Sequence, residues 1–145
     1  MVLLSPFLPG DGEPVDPFAP QQMPTHPIVQ WVMQSGWTGK LLIAVIACVL
    51  APLLEEIMFR GFLYRHLRES TRGWRVASSI AASALLSSFV FAIIHPQGLI
   101  AVPALGTLAA AFCLLREWRG SLVAPIFAHA TNNGVMTIIL LTLLS

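Results

Sequence analysis

Charge is what this sequence has least of. Asp, Glu, Lys and Arg make up only 10% of its 145 residues, while 56% are hydrophobic. Soluble domains average about 25% charged residues. So few charges cannot cover a water-facing surface, which excludes an ordinary soluble globule and makes lipid the natural solvent. The net charge is +1, so no overall field draws the chain to nucleic acid or to an acidic partner. Cysteine is scarce too. Cys48 and Cys113 each lie in an apolar run with no CxxC pattern, so they read as small buried hydrophobes rather than a disulfide framework. The opening MVLLSPFLPGDGEP has no basic region and is broken by Pro6 and Pro9, unlike a secretory signal. HExxH, GxSxG and phosphate-loop patterns are all missing, which removes the common zincin, serine-hydrolase and nucleotide readings.

What is present falls into two parts. Residues 1–37 are rich in proline, as in PGDGEPVDPFAPQQMPTHP, and cannot keep a helix or a ladder strand. They read as an extramembrane arm, with Trp31 and Trp37 suited to a headgroup region. Residues 38–145 carry four apolar segments: about Thr38–Tyr64, Trp74–His95, Leu99–Leu115 and Ser121–Leu144. Each is close to the length that crosses about 30 Å of hydrocarbon. Backbone groups in lipid must pair within the segment, so all four are expected to be helices. The expected fold is an all-α, polytopic membrane bundle of about four helices. Arg65, Arg68, Arg72 and Arg75 follow the first segment, and Arg116 and Arg119 follow the third, whereas HPQGL between the second and third has no basic residue. The positive-inside rule puts both arginine loops in the cytoplasm.

Ionisable residues inside spans are costly and tend to be functional. Here they are Glu55, Glu56, Arg60, His95 and His129, with Asn132 and Asn133 as polar companions. Glu56 and Arg60 are four apart and share a helix face, close enough to pair. A membrane-edge ion pair that merely ends the helix is the plain alternative. Glu55 points about 100° away from Glu56, so that pair leaves it free. His129 and Asn133 are also four apart, as are Phe91 and His95. A lone membrane histidine is commonly a packing residue, but two on separate helices with a free glutamate on a third suggest chemistry. Glutamate can take a proton from water, and imidazole can orient that water or bind a metal. A second imidazole with an amide nearby can stabilise an oxyanion. His26 and His66 fall outside the spans and read as solvated. A transporter would need a continuous polar path, and the third segment has no charged residue.

Three of these groups resemble the motifs of a known family. EEIMFR (Glu55–Arg60) resembles EExxxR, FAIIH (Phe91–His95) resembles FxxxH, and HATNN (His129–Asn133) resembles HxxxN. Together, in this order, they resemble the CAAX prenyl protease type 2 group, which includes bacteriocin-immunity proteins. The resemblance covers roughly residues 40–144. It implies a multi-pass protein of the bacterial plasma membrane that cleaves a peptide bond of a membrane-associated or prenylated substrate. It also implies Glu55 as general base aided by His95, His129 with Asn133 as oxyanion donors, and Glu56–Arg60 as the pair that shapes the site. A catalytic zinc held by Glu55, His95 and His129 would fit the metalloprotease name given to some members; a metal-free glutamate mechanism is the other reading. The alternative function on the same fold is a non-catalytic immunity or scaffold protein.

Helix lengths set one condition. Glu55 and His129 lie about eight or nine residues from the cytoplasmic ends of their segments, but His95 is about twenty from Arg75, near 30 Å of straight helix. The expectation is therefore that Arg68–Ser79 is partly interfacial, that the second membrane helix starts late, and that Pro96 and Gly98 turn the chain inside the bundle.

Overall fold

A computed structural model describes residues 36–143. The Pro-rich arm expected over residues 1–37 lies almost wholly outside the described residues. Four helices make up the rest: α1 (Trp37–Ser70), α2 (Val76–Ile93), α3 (Val102–Arg119) and α4 (Val123–Leu143). A single 3₁₀ turn, Leu99–Ala101, leads into α3. The described residues contain no strand. All four helices are long and apolar enough to cross a membrane, and the chain is a multi-pass integral membrane protein. Its outward surface is lined with exposed Leu, Ile, Val and Phe, as lipid contact requires.

The stretch Arg68–Ser79 does hold a turn, at residues 71–75, but the second helix does not start late. Instead α1 runs beyond Tyr64 to Ser70, and α2 begins at once after a short turn, at Val76. Glu55 therefore stands fifteen residues from the end of its helix, about 22 Å along the axis. That added length brings its level near that of His95, at the far end of α2. Pro96 and Gly98 do turn the chain, and Gly98 takes a φ of 76°, a conformation that favours glycine. The turn is exposed at the end of the α2–α3 hairpin, not enclosed by the helices.

Packing between α2 and α3 relies on small side chains. Ser79, Ser83, Ser87 and Phe91 recur every four residues on the buried face of α2 and meet Ala109, Phe112 and Cys113 of α3. Small residues let backbones approach closely in lipid, where apolar burial gives helices no reason to associate. At the arginine end, polar contacts tie three helices together. Arg68 pairs with Glu117 at 2.9 Å, Tyr64 donates its hydroxyl to Glu117 at 3.0 Å, and Arg68 also bonds Ser79. The two arginine-bearing ends thus lie side by side, as the loop charges imply.

Helix α1 is wound unevenly. Ile46–Leu50 and Ile57–Tyr64 are π-helical, a form often found at functional sites. The first stretch has a consequence for α4. The Ala51 N–H bonds the carbonyl of Ile46, one residue further back than in an α-helix. In that register the carbonyl of Ala47 would face the nitrogen of Pro52, which has no hydrogen to give. Asn133 of α4 fills the gap, donating its side-chain N–H to Ala47 O at 2.9 Å. Contacts between α1 and α4 then run antiparallel: Gly61 against Leu122, Glu56 against His129, and Cys48 against Thr137 at 3.5 Å.

Candidate active site

The two adjacent glutamates face different partners. Glu56 is fully buried. Its Oε1 accepts from Arg60 Nη1 at 2.9 Å and from His129 Nδ1 at 2.9 Å. Arg60, also fully buried, donates its other terminal nitrogen to the carbonyl of Ala109 at 2.9 Å, and its guanidinium lies over the Phe91 and Phe112 rings at 4.8 and 5.3 Å. A buried ion pair needs further partners to offset its desolvation; the carbonyl and the two ring faces supply part of this for Arg60, while its Nε and Glu56 Oε2 are buried with no hydrogen-bond partner among the described residues. Glu55, one step round the helix, is 29% exposed and can be reached.

Both histidines direct Nε2 at Glu55. His95 follows the last turn of α2, where its Nδ1 lies 2.6 Å from the carbonyl of Phe91. A carbonyl can only accept, so Nδ1 carries a proton, and in the neutral ring Nε2 is the bare nitrogen. That Nε2 is 3.7 Å from Glu55 Oε2. His129 gives its Nδ1–H to Glu56, and its Nε2 is 3.6 Å from the same Glu55 oxygen. Phe112 stacks on the His129 ring at 5.1 Å and Phe91 meets its edge at 6.0 Å, which fixes the ring plane. Glu55 Oε2 is buried with no hydrogen-bond partner among the described residues. It lies beyond hydrogen-bond distance of both Nε2 atoms.

A family comparison decides what these residues belong to. The model of the type II CAAX prenyl endopeptidase Rce1-like family matches residues 37–135, which take in α1 to α3, the first part of α4 and every residue just described. The chain belongs to this Rce1-like family. Among curated proteins it is similar to the membrane-embedded CAAX protease MroQ of Staphylococcus aureus (strain USA300), 31% identical over 62% of this chain and 36% of that protein. It is also similar to the putative membrane peptidase YdiL of Bacillus subtilis (strain 168), 31% identical over 67% of this chain and 36% of that protein. The chain thus spans about a third of the length of these two relatives. No solved structure matches it.

The Rce1-like motif residues occupy three helices and meet at one point. Glu55, His95 and His129 come together there. Glu56 and Arg60 pair as their spacing suggests. Asn133 is placed differently from the expected oxyanion donor: its side-chain N–H goes to the Ala47 carbonyl, two turns before Glu55, and it holds α4 against α1. The zinc reading finds no support in the donor arrangement, because no three His, Cys, Asp or Glu side chains among the described residues form a group able to hold a metal ion. Sequence reasoning missed the bond from His129 to Glu56, having given Glu56 to Arg60 alone. It also missed Phe112 and the Ala109 carbonyl, since nothing polar in the third segment marks them.

Proposed function

We propose that this Rce1-like chain provides the hydrolytic centre of an intramembrane endopeptidase, with a water molecule held between Glu55 and His95. Family membership supports peptidase chemistry in the membrane. The water-activated mechanism is carried by a single observation: the partnerless carboxylate oxygen of Glu55, 3.7 and 3.6 Å from two imidazole Nε2 atoms. Water has two hydrogens to give, one to each acceptor, and its oxygen is left free to attack.

Glu55 takes one proton from water as the oxygen bonds to the scissile carbonyl carbon, and the carbonyl π pair moves onto its oxygen. Collapse of that adduct breaks the C–N bond, and Glu55 returns the proton to the leaving nitrogen. His129, held through Nδ1 by Glu56, turns Nε2 toward the site, where a proton on that nitrogen would stabilise the oxyanion. Glu56 and Arg60 position His129 and touch no substrate. Asn133 positions it from the other side through the α4–α1 bond. The substrate class in this reading is a membrane-anchored peptide, and the family's description points to a prenylated C-terminal cysteine.

The test reconstitutes the chain in lipid vesicles with two peptides of one sequence, prenylated and unmodified. Mass spectrometry should find a new C-terminus on the prenylated peptide, dependent on Glu55. Equal cleavage of both would remove the prenyl preference, and cleavage of neither would count against a self-sufficient hydrolytic centre.

A further inference from the structure

A second polar feature lies at the arginine end of the bundle, well away from Glu55. It is a cleft of about 360 Å³ whose lining includes Arg65, Arg68, Arg72, Arg116, Trp74 and Ser79. The end of α1, the following turn and the end of α3 all contribute to it. Among the described residues, the two carboxylates that line it are already engaged: Glu69 pairs with Arg65 at 2.8 Å and Glu117 with Arg68 at 2.9 Å. Among the described residues neither Arg72 nor Arg116 forms an ion pair. The Arg116 guanidinium lies over the Tyr64 ring at 5.5 Å, and its Nε is buried without a hydrogen-bond partner.

A buried guanidinium N–H left unpaired is costly, so this one calls for an acceptor from outside the chain. The topology rule explains why arginines are numerous here but not why four of them line one cleft. Arg75 and Arg119 belong to the same two loops and do not line it. The rim is apolar: Trp74 is 56% exposed and Val76 68%. A ligand that suits both parts has a multiply accepting anion at one end and an apolar body at the other.

We propose that this cleft binds the phosphate of an anionic phospholipid headgroup. Arg72 and Arg116 supply donors to the phosphate oxygens, which match the guanidinium fork. Trp74 lies at the headgroup level and Val76 against the start of the acyl chain. Occupancy neutralises the excess positive charge and draws the ends of α1, α2 and α3 together. This assignment does not depend on the peptidase reading.

The experiment uses the whole chain in neutral detergent, titrated with short-chain phosphatidylglycerol, short-chain phosphatidylcholine and inorganic phosphate. Binding is read by native mass spectrometry and by the shift in melting temperature. One phosphatidylglycerol should bind in preference to phosphatidylcholine. Arg116→Gln and Arg72→Gln should each weaken it about tenfold, as loss of a charge-assisted pair implies, and Arg75→Gln should not. Arg116→Lys should recover only part, because it keeps the charge and loses the fork. Equal binding of the two lipids would overturn the proposal. So would equal weakening by Arg75→Gln and Arg116→Gln, the mark of diffuse attraction. Phosphate binding as tightly as phosphatidylglycerol would overturn the lipid assignment in favour of a free anion.

Discussion

Glu55 and Glu56 are the same residue type, adjacent in sequence, with opposite environments. Glu56 has an arginine and an imidazole on one oxygen and no exposure. Its removal should be read as a stability change: Glu56→Gln is expected to cost about 3–5 kcal/mol, because it leaves the Arg60 charge buried and unpaired. Arg60→Gln should cost a similar amount, and the double variant clearly less than the two added together. Denaturant titration of the detergent-solubilised protein measures all three. Full additivity would show that the buried pair does not act as a unit.

The glutamate pair was legible because a 100° step separates neighbours on any helix, whatever surrounds it. The histidine geometry was legible only in part. Spacing placed Phe91 and His95 on one face, and the Phe91 carbonyl does set the His95 tautomer. Nothing in the sequence tied His129 to Glu56, since that contact depends on the register between α1 and α4. Phe112 was invisible for a similar reason: one phenylalanine in an apolar run looks like any other until the opposite helix is in place.

At the scale of elements, the register of α4 depends on one backbone irregularity. The π stretch before Pro52 frees the Ala47 carbonyl, and Asn133 answers it. Asn133→Leu would leave that carbonyl unpaired. The expected loss is about 1–3 kcal/mol of stability, with reduced cleavage as His129 moves off Glu56. Asn133→Gln, which can reach the same carbonyl with a longer arm, should recover part of both. Identical behaviour of the two variants in melting and cleavage assays would argue against the clamp. Gly61 gives a second check. A Cβ there would lie 3.3 Å from Leu122 Cδ1, a flexible tip that can shift. Gly61→Ala should be mild, whereas Gly61→Leu should push α4 away and cost about 1–3 kcal/mol, read from the same melting curves.

The elements were also where the sequence misled. Hydropathy ended the first helix at Tyr64, because Arg65, His66 and Arg68 look like a loop. In fact Arg65 pairs with Glu69, and Arg68 reaches Glu117. Those partners let the helix continue with its charges satisfied. The extra turns, not a late start of α2, bring Glu55 near the level of His95.

Across the whole molecule, the helices are set with both arginine loops at one end and the HPQGL turn at the other. The Arg68–Glu117 pair makes that arrangement physical, because it joins the two loops' helices directly. With Cys48 and Cys113 replaced by alanine, Gly73→Cys and Arg119→Cys should react with a membrane-impermeant thiol reagent from the same side. Gln97→Cys should react only from the other. Labelling of all three from one side would contradict the four-span topology. Within that frame the site has two layers. Arg60, Glu56 and His129 form a buried support, and Glu55 is the reachable member in front of it.

That division is tested most directly on one variant, Glu55→Gln, measured for melting temperature and for cleavage of a membrane-anchored peptide in the same preparation. A glutamate that activates water without carrying the fold should leave melting almost unchanged. Cleavage should fall by about a thousandfold, the usual range for loss of a general base. Cleavage within tenfold of the parent, with melting intact, would remove Glu55 from the chemistry and the central reading with it.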